Sequence, residues 1–219
     1  MFAQIAVVGR GRLGSTVAAR LAERGLLAEG ERGDLVLLCV PDRVIHEKAA
    51  TIPVGPWLAH MSGAVPLSAL APHSQRFGLH PLQTFTRGGG ATQLDGSWAA
   101  VTGESSQARE QARWLAETLG LQPFDLQEDR RVLYHAGATM ASNFLVTLYR
   151  AARQLVETAG VPSEALLPLM RRTIDNGFEL TGPIARGDWS TVDEHLAAIR
   201  KDAPDVEELY RAMTRATRP

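Results

Sequence analysis

Short apolar runs alternate with amphipathic stretches through the first half of the chain. Six of these runs have the length of a buried strand, at residues 5–8, 35–40, 57–60, 76–79, 98–101 and 122–124. Residues 13–24 and 106–119 instead repeat their apolar positions with helical spacing. Buried strands that alternate with helices are typical of a mostly parallel sheet covered on both sides, so the pattern predicts an α/β domain.

From about residue 128 the strand pattern stops and helical signals follow. Residues 132–158 predict one long helix that ends before Gly160. Later helices are predicted from a cap at Ser163 with an interruption at Pro168, a Ser190–Asp193 capping pair, and Pro204. We therefore expect a boundary near residues 126–130, with an α/β domain at 1–127 and an all-helical domain at 128–219.

The composition of the chain argues against nucleic-acid, membrane and metal partners. The chain has 219 residues, of which 45% are hydrophobic and 21% charged, and a net charge of -1. Without a basic excess we expect no nucleic-acid partner. No apolar run approaches the roughly 18 residues of a membrane span, and no signal peptide is recognisable, so we expect a cytoplasmic protein with no membrane partner. The single cysteine, Cys39, lies in an apolar run, and His46, His60 and His73 are scattered, so we expect no metal site.

Three glycines follow the first predicted strand with the spacing G-x-G-x-x-G, at Gly9, Gly11 and Gly14. The first permits a tight turn, the second lets the backbone approach a pyrophosphate, and the third lets the helix pack close to the strand. The helix N-terminus then presents free N–H groups to phosphates. The predicted cofactor contacts lie at strand ends: Gly9, Arg10, Gly11, Arg12, Leu13, Gly14, Val40, Pro41 and Ser62.

A full dinucleotide site also needs a second strand that carries an acidic residue to hold the adenosine ribose. Glu29 and Glu31 have the right distance in sequence, but only residues 26–33 separate the first helix from the next strand. A further parallel strand there would need a crossover of a dozen or more residues. The sequence therefore predicts a shortened domain from which the second-strand region is deleted, with the first strand at or near a sheet edge.

Six segments, in order along nearly the whole chain, match a known group: GRGRLG, LVLLCVPD, HMSGAV, GLHPLQTF, YHAGATMASNFLVTLY and TGPIARGDWSTVDEHL. The sequence resembles uncharacterised Rossmann-like proteins with a C-terminal helical domain of unknown function. These are relatives of pyrroline-5-carboxylate reductase, ketopantoate reductase and the 6-phosphogluconate dehydrogenase superfamily. The resemblance implies an NAD(P)-type Rossmann domain, a helical second domain that forms homodimers, and an active site between the domains. The missing second strand departs from that pattern.

The long predicted helix carries a stripe of short polar side chains, His135, Thr139, Ser142 and Asn143, opposite an apolar face. Such a stripe fits a cleft wall that orients a small polar ligand, and a helix–helix interface is the alternative. In hydroxyacid dehydrogenases of the resembled superfamily, a lysine and an asparagine one turn apart do this work. Asn143 matches the asparagine, but Thr139 stands at the lysine position, which leaves His135 as the candidate for proton transfer.

His80 and Ser62 lie at the carboxyl ends of predicted strands, where open α/β sheets bind ligands. His80 is either a catalytic residue or a turn residue that bonds nearby backbone. The glycine-rich residues 87–91 are interpreted as a mobile connector, with a lid as the alternative.

Two functions follow from these residues. The first is an NAD(P)-dependent oxidoreductase acting on a small polar carbonyl, imine or hydroxy acid, with His135, Asn143, Ser142 and His80 as catalytic candidates. The second is a degenerate relative that no longer binds dinucleotide and takes a small anionic or phosphorylated ligand without redox chemistry.

Overall fold

A computed structural model describes residues 1–217 of the chain. Its first unit contains a six-stranded sheet in which the strands lie side by side in sequence order. The strands are β1 (Ile5–Val8), β2 (Leu35–Leu38), β3 (Trp57–His60), β4 (Arg76–Pro81), β5 (Trp98–Thr102) and β6 (Gln122–Asp125). Strands β1 to β4 are parallel, β5 runs antiparallel to β4, and β6 is parallel to β5. The predicted mostly parallel sheet is confirmed.

Eight α-helices accompany the sheet within the described range. They are α1 (Arg12–Glu23), α2 (Ile45–Thr51), α3 (Ser106–Thr118), α4 (Arg131–Thr139), α5 (Leu145–Thr158), α6 (Leu166–Asp175), α7 (Trp189–Asp202) and α8 (Glu207–Ala216). A π-helical turn, Met140–Phe144, joins α4 to α5. The sequence missed α2, which forms the short crossover between β2 and β3.

Both faces of the sheet are buried, which explains why the strands are apolar without alternation. On one face, alternate strand residues such as Val7 and Leu37 pack against Val17 and Leu21 of α1 and against α3. On the other face, the intervening residues pack against α2 and the short helix Leu67–Leu70. The parallel strands β1 to β4 therefore end together at one edge of a rigid sheet.

A short segment, residues 26–28, lies where the second strand of a complete domain would be, and we call it the remnant. The amide of Ile5 donates to the Leu26 carbonyl (2.8 Å), and the amide of Ala28 donates to the Ile5 carbonyl (3.0 Å). These two bonds form a single parallel bridge between Ile5 and Leu27, after which the chain turns at Gly30. The deletion predicted from the sequence is confirmed, and the outer edge of β1 is paired with this one short segment.

The chain divides into two compact units, Met1–Met140 and Ala141–Pro219. The division falls after α4, whereas the sequence places the boundary at 127/128. The reason lies in Arg131, which is 1% exposed and hydrogen-bonded to residues of the sheet unit, so that α4 packs with the strands.

Two helix starts differ from the sequence predictions. Pro168 does not interrupt a helix: it lies in the first turn of α6, where its missing N–H would have no intrahelical partner in any case. The N-cap of α7 is Asp188, whose carboxylate accepts from the Thr191 amide (3.2 Å), and Ser190 donates to that same carboxylate instead of capping the helix.

The second unit buries little apolar surface on its own. Its buried cluster consists of Ile199, Ala203 and Val206, with Ala151, Leu155 and Tyr210 packed against it. Helices α5 and α6 contain no buried residue. None of the helices in residues 1–217 is long and apolar enough to cross a bilayer.

Candidate functional site

The glycine turn between β1 and α1 has the close approaches that its spacing predicts. Gly9 has a φ of +104°, and a Cβ placed on it would lie 2.4 Å from the Cys39 carbonyl oxygen. A Cβ on Gly14 would lie 2.2 Å from the Gly9 carbonyl oxygen. Larger residues at either position would push β1, β2 and α1 apart, so both glycines are required by packing.

Gly11 differs from its two neighbours because it faces open space. It has a φ of -68°, and a Cβ placed on it would meet no atom within 4 Å. Gly11 is also the N-cap of α1 and supplies no side-chain hydrogen bond, so the first amides of the helix lack an intrahelical or capping partner. The amide-lined surface above Gly11 is therefore open to an anion.

A cavity of about 480 Å³ opens over this turn, and we call it the arginine cavity. Its lining contains three arginines, three hydroxyl residues and three glycines: Arg10, Gly11, Arg12, Ser15, Thr16, Thr86, Arg87, Gly88 and Gly90. No acidic residue lines it. The open turn, the free amides and the arginines fit the pyrophosphate of a dinucleotide.

A buried guanidinium, that of Arg131, binds several backbone segments near β4, at the same edge of the sheet as the glycine turn. Arg131, the first residue of α4, donates from Nε to the Val65 carbonyl (3.0 Å) and from one terminal nitrogen to Thr102 Oγ1 (2.9 Å), and its other terminal nitrogen bonds the Ser62 carbonyl. A Cβ on Gly78 would lie 2.9 Å from this guanidinium. Glycine in β4 therefore makes room for Arg131 to lie against the sheet.

Arg131 brings two residues of α4 to His80, which lies near the end of β4. Tyr134 and His135 are three and four residues after Arg131 and share its helix face. The Tyr134 hydroxyl is 2.8 Å from Nδ1 of His80, and the His80 and His135 ring centroids are 5.8 Å apart. The sequence predicts His80 at the carboxyl end of a strand, and it is the penultimate residue of β4, paired with Ala100 of β5.

Gly63 completes this cluster from the end of β3. A Cβ on Gly63 would lie 2.6 Å from Cδ2 of His135 and 3.0 Å from Nε2 of His80. Two imidazoles and a phenol thus surround a bare stretch of backbone at the carboxyl ends of β3 and β4. We call His80, Tyr134 and His135 the imidazole cluster.

Burial keeps the central groups of this cluster neutral near pH 7. Desolvation, followed by the nearby charges of His135 and Arg131, lowers the pKa of His80 to about 4. Desolvation raises the pKa of Tyr134 to about 12. Beneath them, burial next to Arg131 lowers the pKa of His60 to about 3, and its Nε2 atom has no hydrogen-bond partner. A neutral imidazole paired with a neutral phenol can hold one ring proton at a defined nitrogen.

The remaining residues that the sequence predicts to contact the cofactor differ in what they pack against. The Ser62 hydroxyl accepts from the amides of Ala64 (3.2 Å) and Val65 (3.0 Å), so it stabilises the turn that contains Gly63. Leu13 packs against the core. Val40 lies beside Gly9 just after β2, and Pro41 follows it at the surface. Contact of these residues with a cofactor stays a prediction.

The predicted polar stripe crosses the π-helical turn. Thr139 Oγ1 donates to the His135 carbonyl (2.9 Å) within α4, whereas Ser142 and Asn143 lie in the π turn and in the second unit, with the Ser142 hydroxyl donating to Asn143 Oδ1 (3.2 Å). A wheel drawn at a constant angle does not apply through this wider turn. A π turn inside a helix is frequently found at functional sites, and the roles of Ser142 and Asn143 in orienting a substrate stay predictions.

Sequence reasoning missed Arg131, Tyr134 and the contribution of residues 86–90. A signal for the first two exists, because Arg131, Tyr134 and His135 have the i, i+3, i+4 spacing of one helix face. The third depends on a tertiary contact between distant segments, which local patterns do not report. Within residues 1–217, no group of three or more His, Cys, Asp and Glu side chains is arranged to hold a metal ion.

Comparison with known proteins establishes the family. Residues 97–217, more than half of the chain, match the family model described as Domain of unknown function (DUF2520), and the chain belongs to this family. None of the curated proteins matches the sequence.

Solved structures match the chain over almost its full length. An NADP oxidoreductase of provisional assignment from Bacteroides fragilis is 19% identical with a TM-score of 0.82, covering 98% of this chain and 97% of that one. A protein from Thermotoga maritima is 26% identical with a TM-score of 0.75, covering 97% and 96%. A reductive aminase from Aspergillus terreus, in complex with NADPH and ethyl-5-oxohexanoate, is 16% identical with a TM-score of 0.67, covering 100% and 96%.

These matches confirm the resemblance drawn from the sequence. A 1-pyrroline-5-carboxylate reductase from Streptococcus pyogenes also matches, with a TM-score of 0.62 and 16% identity over 98% of this chain and 96% of that one. The protein therefore shares the Rossmann-like fold of these structures, with a helical C-terminal region.

The buried histidines predict a stability that falls in mild acid. His80 and His60 have folded pKa values of about 4 and about 3, below the ordinary 6.5, so the unfolded chain binds more protons below about pH 6.5. Between about pH 6.5 and 5, each histidine should lower the free energy of unfolding by up to roughly 1.4 kcal/mol per pH unit. Urea unfolding across this range measures the slope, which should become shallower in His80→Gln. An NMR titration that places His80 near its ordinary pKa would contradict the assignment.

Proposed function

We propose that this protein is an NAD(P)-dependent oxidoreductase that acts on a small polar carbonyl, imine or hydroxy acid. The observation that carries the proposal is the open glycine turn: Gly11 faces free space at an uncapped helix N-terminus, beside unpaired arginines. Solved structures with the same fold support it, since they include an NADP oxidoreductase of provisional assignment and a reductive aminase in complex with NADPH.

The glycine turn and the imidazole cluster lie along one sheet edge. Because β1 and β4 are three strand spacings apart, the distance between the two strand ends is about 14 Å. This is within the length of a dinucleotide. Residues 9–14 would hold the pyrophosphate, and the nicotinamide ring, which carries the transferable hydride, would then lie toward the end of β4.

The imidazole cluster would handle the proton that accompanies reduction. In this proposal the Tyr134 hydroxyl, 2.8 Å from Nδ1 of His80, donates its hydrogen to that nitrogen, which would leave the ring proton on Nε2, beside Gly63. A neutral imidazole N–H can polarise a carbonyl oxygen or an imine nitrogen without itself losing the proton. His135, on the other side of Gly63, is the group that gives a proton to the reduced product or takes one in the reverse direction.

One observation favours the alternative function. The remnant beside β1 is a single bridge long, so most of the adenosine half of a dinucleotide site is missing. A protein that kept only the glycine turn and the arginine cavity would bind phosphate or a small phosphorylated ligand without redox chemistry.

Gly11→Ala distinguishes these possibilities. The backbone conformation and the space around Gly11 accept a methyl group, and the gain from a less flexible unfolded chain offsets the poorer N-cap that alanine makes, so stability should change by less than about 1 kcal/mol. The same methyl group would stand in the path of a pyrophosphate, and NADPH affinity should fall at least about tenfold, or roughly 1.4 kcal/mol. Fluorescence titration and thermal shift measure the two quantities.

Gly137→Ala is the matched control, because Gly137 in α4 also has no atom within 4 Å of a built Cβ. It should leave NADPH affinity unchanged. A wild-type protein whose melting temperature rises with inorganic phosphate but with neither NADPH nor NADH would favour the alternative function and contradict the redox assignment.

Tyr134→Phe tests the proton-handling proposal. The substitution keeps the ring and removes the hydroxyl that fixes Nδ1 of His80. We expect kcat for a cyclic imine such as 1-pyrroline-5-carboxylate, or for another small carbonyl substrate, to fall by about 10²-fold. Cofactor affinity should be unchanged. Nitrogen NMR of the His80 ring gives an independent readout, and a tautomer that is the same in both proteins would argue against the role of Tyr134.

We also propose that the protein is a homodimer formed through its helical unit. Large apolar side chains of this unit lie at the surface of the monomer, among them Leu169 (63% exposed), Ile174 and Phe178 (70% exposed). The buried apolar residues of this unit are a small core for its size: Val192, Leu196, Ile199, Ala203 and Val206. A second copy would cover apolar area that a soluble monomer rarely leaves exposed.

Light scattering should give a mass of twice 23.7 kDa at micromolar concentration. Leu169→Glu, on α6, should shift the protein to a monomer and lower its melting temperature, since it puts a charge into the proposed interface. Val54→Glu is the control: Val54 is 67% exposed, but it lies in the sheet unit, and the dimer should persist. A wild-type protein that stays monomeric would refute the proposal.

A further inference from the structure

The loop that completes the arginine cavity, Thr86–Gly90, is organised around one amide side chain. Gln93 Oε1 accepts from the amide of Thr86 (2.8 Å) and from its hydroxyl (3.0 Å), and Gln93 Nε2 donates to the Gly90 carbonyl (3.3 Å). A Cβ on Gly89 would lie 2.2 Å from Gln93 Cδ, so a larger residue there would displace the Gln93 amide from these bonds. These bonds organise the stretch that is interpreted from the sequence as a mobile connector, with a lid as the alternative.

The same segment is tied to the helix that begins at the glycine turn. Gln93 Nε2 also lies 3.3 Å from Thr16 Oγ1 of α1. One turn further along α1, Arg20, which is 8% exposed, donates to the Ala91 carbonyl (3.1 Å) and pairs with Asp95 (2.6 Å). The loop is therefore built into the wall of the cavity at a fixed place relative to the α1 N-terminus.

The cavity holds more positive charge than a pyrophosphate requires. Arg10, Arg12 and Arg87 are among the arginines of residues 1–217 that form no ion pair with a carboxylate. A pyrophosphate in a dinucleotide carries two negative charges, and the helix N-terminus already contributes a partial positive charge. Three unpaired guanidinium groups with no acid beside them fit an additional phosphate.

Within residues 1–217, the lining of the arginine cavity lacks the acidic residue that an NAD site would need. An NAD site uses an acidic residue at the end of the second strand to accept from the ribose 2′-hydroxyl. Glu29 and Glu31 do not line the cavity, and the remnant that precedes them stops after one bridge. A free 2′-hydroxyl would have no carboxylate acceptor here, whereas a 2′-phosphate would have guanidinium donors.

We propose that Arg87, carried by the loop held on Gln93, acts with Arg10 and Arg12 as a 2′-phosphate subsite that makes the protein selective for NADP(H) over NAD(H). This inference rests on the proposed dinucleotide-dependent function and adds its cofactor specificity. The loop would take over the role of the deleted second strand, since it lines the same cavity as the glycine turn.

Calorimetric titration of the full chain with NADPH, NADH and 2′,5′-ADP tests the subsite. Wild-type protein should bind NADPH at least about tenfold more tightly than NADH, the scale of one charge-assisted bond. Arg87→Gln should lose most of this preference by weakening NADPH and 2′,5′-ADP about tenfold, while NADH affinity stays within about twofold. Because Arg87 is exposed, the variant should have the same melting temperature as the wild type.

Arg24→Gln is the matched control, because Arg24 is an exposed arginine at the opposite end of α1, and it should change neither affinity. Equal wild-type affinities for NADPH and NADH, or an Arg87→Gln variant that keeps the preference, would overturn the subsite and leave the oxidoreductase proposal standing. Failure of the wild-type protein to bind either dinucleotide would overturn both.

Discussion

The site depends on one buried cation. Arg131 is held by the carbonyls of Ser62 and Val65 and by the Thr102 hydroxyl, and it lies against Gly78, where any larger residue would displace it. A guanidinium cannot be deprotonated in a protein, so its burial is stabilised only while these acceptors are in place. The geometry of α4, and with it the meeting of Tyr134, His135 and His80, follows from that requirement. The same charge contributes to the low pKa of His80.

A second constraint acts at the other end of the sheet edge. Gly9 and Gly14 are fixed by contacts with backbone atoms at 2.4 and 2.2 Å from a built Cβ, whereas Gly11 touches nothing. Packing therefore explains two of the three glycines and leaves the third without a structural reason. A residue type that is unnecessary for the fold, at a place where free amides point outward, is the strongest indication that this edge binds an anion.

Much of the fold could be predicted from the sequence because strands buried on both faces leave uninterrupted apolar runs. The run at 57–60 corresponds to β3 without error, and the eight residues 26–33 were too few for another strand and its crossover. The site was harder. His80 and His135 were identified singly, but their contact depends on Arg131, whose burial results from tertiary packing that local patterns do not report. The π turn Met140–Phe144 also changes the angle per residue, so the helical wheel that grouped Ser142 and Asn143 with His135 does not apply.

The deletion and the loop have a common physical explanation. Removing the second strand shortens the fold by one crossover, but it exposes the edge of β1 and removes the acidic end of the adenosine site. The bridge at Leu27 repairs the first loss with two hydrogen bonds. The second cannot be repaired from the same side, because Gly30 turns the chain away. The segment that follows β4 lines the cavity over the glycine turn, and Gln93 holds it there with Arg87 beside Arg10 and Arg12. In the proposed subsite a basic contact would replace the acidic one, and a basic contact favours the more highly charged cofactor.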